Sequence, residues 1–297
     1  VTIVVIGEIL WDVFDNAEKL GGAPFNFAAH AARLGHRVVL LSAVGDDARG
    51  RLARERAADL GLPAEFIQVA PDAPTGSVSV RVAADGQPDF TIHRPAAYDA
   101  LQIDDPLLSR LAVLSPDWLY FGTLYPFHPE AHRQLARLTA AFPNTRRFFD
   151  VNLRRDCYTP QLTLELLRSA HVVKLNEDEA ERIDGFAGVG RRSLGAFTSD
   201  WTRRFGLQAI AVTRGAAGAA IRVGEQYAEV PGYAVEVADA VGSGDAFAAA
   251  LLHGLAEDWS VERIGDFANR VGALVASRPG GAPEWTVAEA LELVRRA

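Results

Sequence analysis

Short apolar runs separated by longer stretches of helical periodicity fill most of this chain, and that alternation constrains the fold more than any other feature. The runs lie at residues 3–6, 38–43, 118–121, 147–151, 172–175 and 209–213. Each has the length and composition of a buried strand. Helices are predicted between them at about 26–34, 48–60, 130–141, 162–169, 177–184 and 199–205, then at about 245–256, 261–277 and 287–296. Strands that alternate with helices build a mainly parallel sheet, because each helix carries the chain back and covers a sheet face. The expected class is α/β with helices on both faces. At 297 residues, 49% hydrophobic and 23% charged, the chain suffices for a single domain spanning 1–297 with a substantial core.

One region breaks the rhythm. Residues 75–82 alternate small or polar residues with valine, Asp85-Gly86 gives a turn signal, and Phe90 to Arg94 follow. That pattern predicts a β-hairpin over 75–94 with no helical crossover. A strand at 11–14 can join it, making a small sheet inserted in the domain. Its exposed edge offers a route by which two chains could pair as a homodimer.

The richest chemistry lies at 239–245, Asp-Ala-Val-Gly-Ser-Gly-Asp, which runs straight into an apolar helical stretch. Gly242 and Gly244 let the backbone turn the N–H groups of Gly242, Ser243 and Gly244 toward one point, and a helix N-terminus adds partial positive charge there. The Asp245 carboxylate beside such an anion site is either a helix cap or a base that takes a proton from a substrate hydroxyl. A second segment, Gly21-Gly22-Ala23-Pro24-Phe25-Asn26, is a Gly-Gly turn opening a helix that stops at Gly35. Asp12 and Asn26 offer the acceptor and amide groups that a neutral polyol requires, and Gly22 would let a ligand approach the backbone. Asn176-Glu177-Asp178-Glu179 follows a strand at its C-terminal end, where α/β sheets place ligands, although a capped acidic helix start looks the same. Thr213-Arg214-Gly215 alone is the turn of a hairpin.

Segments 21–26 and 239–245 together resemble the paired signatures of the ribokinase (PfkB) family of sugar and nucleoside kinases. These are Gly-Gly with Asn four residues after the second Gly, and Asp-x-x-Gly-x-Gly-Asp, in that order and widely separated. The resemblance implies a ribokinase-like three-layer α/β/α fold whose small sheet is a β lid, and an ATP-dependent sugar kinase that requires Mg2+. It implies Asp245 as the base, with the anion hole at Gly242, Ser243 and Gly244. Asp12, Gly21, Gly22 and Asn26 would bind the sugar. Arg154, in Asp150-Val151-Asn152-Leu153-Arg154, matches a residue that approaches the substrate carboxylate in the sugar-acid kinases and is present in neutral-sugar members too. Asn176 and Glu179 match the Asn-x-x-Glu motif that organises hydrated magnesium and phosphates, Glu179 acting through water. Thr213 and Gly215 would touch the nucleotide phosphates, and Asn269 would line the adenine pocket. Carbonyls near Asp239 and Val241, with the loop at 275–284, imply a K+ site, although Glu284 stands where ribokinase has a serine. The Gly-Gly-Ala-Pro and Gly-Glu-Ile-Leu-Trp-Asp segments look most like fructokinases. Fructose is therefore the leading expected substrate, ahead of 2-keto-3-deoxygluconate, ribose and nucleosides. A catalytically silent sugar-binding regulator is the alternative from a different class.

Bulk properties exclude several other classes. A net charge of −8 and a pI near 5.4, with scattered Lys and Arg, argue against nucleic acid as a partner. A single cysteine, Cys157, leaves no internal disulfide and no Cys-based zinc site. His128 and His132 sit four apart on a predicted helix, but the local sequence supplies no third ligand. The apolar start, interrupted by Glu8, is far too short to span a bilayer, so no membrane partner and a cytoplasmic location are expected. A dinucleotide-dependent oxidoreductase should show Gly-x-Gly-x-x-Gly after the first strand, where Gly7-Glu8-Ile9-Leu10 stands instead.

Overall fold

The computed structural model describes residues 1–82 and 88–295. Its strands are β1 (Thr2–Ile6), β2 (Leu10–Val13), β3 (Glu18–Gly21), β4 (Arg37–Gly45), β5 (Ile67–Ala70), β6 (Gly76–Val82), β7 (Pro88–His93), β8 (Trp118–Gly122), β9 (Arg146–Asp150), β10 (Val172–Asn176), β11 (Ala209–Thr213), β12 (Ala219–Val223) and β13 (Gln226–Val230). Its helices are α1 (Ala23–Arg33), α2 (Ala48–Asp59), α3 (Asp105–Leu114), α4 (Pro129–Ala141), α5 (Pro160–Ser169), α6 (Glu177–Phe186), α7 (Leu194–Phe205), α8 (Ser243–Ala256), α9 (Val261–Ala276) and α10 (Val287–Glu292).

A nine-stranded sheet in the order β13-β12-β11-β10-β9-β8-β1-β4-β5 runs through the molecule. From β11 to β5 the neighbours are parallel, and β12 and β13 return antiparallel at one edge. The first strand lies inside the sheet, between β4 and β8. Later strands add on both sides of it, so chain order reverses at β1. In open α/β sheets the crevice outside the C-terminal strand ends at such a point is where ligands bind.

Alternation along the strands feeds two apolar layers. Ile3 and Val5 face a cluster that includes Phe27 of α1, Leu251 of α8 and Val271 of α9. Val4 and Ile6 face another, with Leu135 of α4, Leu167 of α5 and Trp201 of α7. The expected three-layer α/β/α arrangement is the one found. Helix α8 is apolar all round because it is sandwiched between α1, α9 and the sheet; Ala246 through Leu252 are all buried.

A second sheet, in the order β3-β2-β6-β7, stands apart from the main one. Its strands β2 and β6 are parallel, while β2–β3 and β6–β7 are antiparallel. The hairpin expected over 75–94 is β6 and β7, and its Asp85-Gly86 turn lies outside the described residues. The strand expected at 11–14 runs from Leu10 to Val13. Strand β3 was not expected, since half of its residues are charged and an edge strand with one neighbour needs little apolar signal. It changes the reading of the Gly-Gly turn: Gly21 ends β3, and Gly22 is the N-cap position of α1 with φ 107°. Leu10, Val78 and Val80 of this sheet pack with Leu124 and Cys157 of the body, so the lone cysteine fills a small core.

Candidate active site

Asp245 occupies the first turn of α8, whose N-cap residue Gly242 has φ 80° and makes no side-chain cap. The capping role that sequence allowed for Asp245 is not the one found. Its Oδ2 accepts a hydrogen bond from Asn26 Nδ2 at 2.9 Å, between the two signature segments. Ala246 N bonds Gly242 O within the helix, so the amides of Gly244 and Asp245 lie at the open helix end. Ser243 differs from expectation: its amide and hydroxyl both turn toward Ala240 O, at 3.4 Å and 2.8 Å. Gly242 is demanded by crowding as well as by its dihedral, since a Cβ there would lie 2.0 Å from Gly281 O.

Gly281 is itself held. His30 of α1 accepts from Trp285 Nε1 at Nδ1, at 3.0 Å. The indole is a donor only, so His30 carries its proton on Nε2 and donates it to Gly281 O at 3.0 Å. Burial pushes the imidazole down to about 4 and keeps it neutral. The loop is thereby pinned between α1 and the start of α8.

Glu8 follows β1 into the crevice. It is buried, its pKa is pushed up to about 7 by desolvation, and Oε2 has no partner among the described residues. A Cβ on Gly22 would meet Glu8 O at 2.6 Å, so the close approach of the chain's own carbonyl also requires glycine there. Asn26 Oδ1 and the Tyr98 hydroxyl are likewise buried without partners among the described residues. Asp12, raised by burial, lies beside Gly21, where a Cβ would be 3.3 Å from its Oδ2. The exposed Arg154 acts electrostatically on Glu8, Asp12 and Asp245 together, which places these carboxylates around one crevice.

Burial also raises Asp245, to about 6, with Asp150 pushing further and Lys174, Asn26 and Arg154 opposing. Lys174 and Asp150 are both buried, with Nζ at 3.0 Å and 3.3 Å from the two carboxylate oxygens. The Tyr120 hydroxyl donates to the same carboxylate at 3.0 Å. Sequence reasoning assigned nothing to Glu8, His30, Tyr120 or Lys174.

Asn176 and Glu179 form a capping box at the start of α6. Glu179 Oε1 accepts from Leu153 N at 2.7 Å and Oε2 from Asn176 N at 2.8 Å. The buried carboxylate thus spends one lone pair per oxygen on backbone, which fits contact with hydrated Mg2+ and does not fit a direct ligand cage. Thr213, Gly215, Gly244, Phe247 and Asn269 line a cavity of about 360 Å³. Asn269 is buried rather than on the helix surface, and its Nδ2 donates to Val230 O and Pro231 O. Arg214 pairs with Glu229.

Asp239 accepts from Lys19 Nζ at 2.7 Å, from Gly280 N at 3.1 Å and from Val241 N at 3.1 Å. These bonds occupy the Asp239 carboxylate, whereas the K+ site that the resemblance implies would be built from backbone carbonyls at Asp239 and Val241.

Residues 3–287 match the profile of the pfkB family of carbohydrate kinases. Fructokinase of Escherichia coli is 29% identical over 295 residues, covering 93% of each chain. The solved structure of fructokinase with bound ATP from Xylella fastidiosa superposes with a TM-score of 0.84 at 24% identity, over 98% of this chain and 97% of that one. That of 2-dehydro-3-deoxygluconokinase from Thermotoga maritima gives 0.86 at 18% identity, over 98% of each chain. Both structural likenesses are of fold.

Proposed function

The chain belongs to the pfkB family of carbohydrate kinases, and from that premise we propose that it moves the γ-phosphoryl group of ATP to a hydroxyl of a neutral sugar, fructose giving fructose 6-phosphate. The observation that carries this is Asp245, a buried carboxylate at the open end of α8, bonded to Asn26 and sharing its crevice with Asp12. The sugar hydroxyl gives its proton to Asp245 as its oxygen bonds to the γ-phosphorus. The bond from that phosphorus to the bridging oxygen breaks, and its electron pair leaves on ADP. Such a base contributes roughly 10²–10⁴-fold in rate. Asn26 fixes one carboxylate oxygen so that the other can take the proton, and its own unpartnered Oδ1 is an acceptor for a sugar hydroxyl.

The amides of Gly244 and Asp245 would receive developing phosphate charge, a contribution of about 10²–10³-fold per donor in comparable holes. The cavity at Thr213, Gly215 and Asn269 is where the nucleotide would lie. Mg2+ bound with ATP would neutralise phosphate charge, and Asn176 and Glu179 would contact its water shell. The small sheet would close over the sugar as a lid.

Local charge favours a neutral substrate. Arg94 is committed to Asp99 and Lys19 to Asp239, while Arg154 has Glu8, Asp12 and Asp245 within reach. Arg154 nevertheless supports a second substrate, 2-keto-3-deoxygluconate, whose carboxylate it could meet. A coupled ADP-release assay with Mg2+ and ATP across fructose, 2-keto-3-deoxygluconate and ribose decides between them. Fructose should turn over fastest, and Asp245→Asn should slow turnover by roughly 10²–10⁴-fold. A preference for the sugar acid would overturn the substrate assignment; a folded wild type that binds sugar without turnover would make it a silent relative.

A further inference from the structure

We propose that Lys174 is a working part of this site: pinned by Asp150 against the first turn of α8, its ammonium is a fixed cation that faces the phosphoryl group during transfer. This rests on Asp245 being the base. Lysine in the middle of a buried parallel strand is costly, and Val172, Val173 and Leu175 around it are apolar. Stability alone does not call for the pair, because buried ion pairs can often be replaced by apolar residues without loss.

Geometry gives the pair a direction. Asp150 offers two acceptors to the ammonium's three N–H donors, and Tyr120 holds Asp150 from its other side. A Cβ placed on Gly244 would lie 3.2 Å from Lys174 Nζ, so the ammonium abuts the first turn of α8, where phosphate charge would be received. A side chain at Gly244 would crowd it, which gives that glycine a duty beyond its amide.

The groups facing Asp245 come from every element around it. They are Glu8 after β1, Tyr120 in β8, Asp150 ending β9, Arg154 beyond it and Lys174 in β10, with neutral Asn26 from α1. Asp150 pushes Asp245 toward protonation, and Lys174 pulls it back. Glu179 also faces Lys174 and helps hold it charged.

Lys174→Met, Asp150→Asn and the double variant test the idea, each followed by urea unfolding and by kcat and KM from pH 5 to 9. The acid limb of activity should move to higher pH in Lys174→Met, to lower pH in Asp150→Asn, and lie near the wild type in the double variant. Glu8 titrates in all of them, so differences between variants report on Asp245. At pH 9, where Asp245 is ionised throughout, kcat of Lys174→Met and of the double variant should still be down roughly ten- to a hundredfold, with KM nearly unchanged. The double variant removes the pair as a neutral unit and keeps the test readable if the single one does not fold. Limbs that stay put or move the same way, or full kcat at pH 9 in the double variant, overturn the proposal. Undiminished turnover in Asp245→Asn would instead sink the base assignment beneath it.

Discussion

Asp245→Asn should slow turnover by roughly 10²–10⁴-fold and, at neutral pH, make the protein more stable. Burial, aided by Asp150, raises the carboxyl from 3.8 to about 6 in the folded chain. The folded state therefore holds the proton more tightly than the unfolded state does. Stability from this group is present below the unfolded value and is lost as pH rises through about 6. At about 1.4 kcal/mol per unit, the ionised group costs the fold about 3 kcal/mol at pH 7.5. Asparagine cannot ionise, and its carbonyl oxygen can still accept the bond from Asn26. Urea unfolding of both proteins at pH 7.5 and pH 4 checks this. The variant should gain about 3 kcal/mol at pH 7.5 and less than about 1 kcal/mol at pH 4, where little of the wild-type carboxylate is ionised in the folded chain. A variant no more stable than wild type at pH 7.5, or a gain that does not shrink toward pH 4, would refute the burial argument.

Asn26→Ala removes a hydrogen bond to a charged group, worth about 1.5–3 kcal/mol, or about one to two pKa units. Its acid limb, measured against its own plateau, should move up from about 6 by that much; a limb that stays or falls would show that Asn26 does not hold the carboxylate. Lys19→Ala breaks a pair whose side chains are 42% and 15% exposed, so unfolding free energy should change by less than about 1 kcal/mol. Its larger effect should be a several-fold rise in sugar KM, because the pair ties β3 of the small sheet to Asp239; an unchanged KM would remove that link.

Most of the main sheet was legible because strands buried on both faces leave uninterrupted apolar runs. Residues 172–175 and 209–213 announced β10 and β11 almost to the residue. Helix α3 was passed over although Asp104 caps it and Pro106 stands in its first turn. Strand β3 carried no such signal, since Glu18 and Lys19 take their order from β2 and from partners distant in sequence. The signature segments pointed to Asp245 and Asn26 because local backbone geometry, a glycine turn opening a helix, writes itself into sequence. Their mutual hydrogen bond crosses most of the chain and could not be read locally. Lys174 did leave a trace, as a charge inside an apolar strand. Its partner Asp150 sits on the neighbouring strand, and that adjacency exists only once β9 and β10 have paired.

The placement of ionisable groups follows from the sheet itself. A parallel strand buried on both faces can carry a charge only where water, a helix end or a counter-charge meets it, and these coincide at the C-terminal strand ends. Glu8 follows β1, Asp150 ends β9, Asn176 ends β10 and Thr213 ends β11, with Lys174 two residues before the end of β10 and in register with Asp150. Desolvation there raises Glu8, Asp245 and Glu179 alike, so each carboxylate depends on its neighbours for its charge. Rigid backbone keeps those neighbours in register: Trp285 and His30 fix Gly281, and Gly281 crowds Gly242 at the start of α8. The apolar layers tolerate volume-conserving apolar exchanges by local repacking. At the strand ends one altered charge resets the ionisation of the rest, which is why conservative replacements there should change pH behaviour before they change the fold.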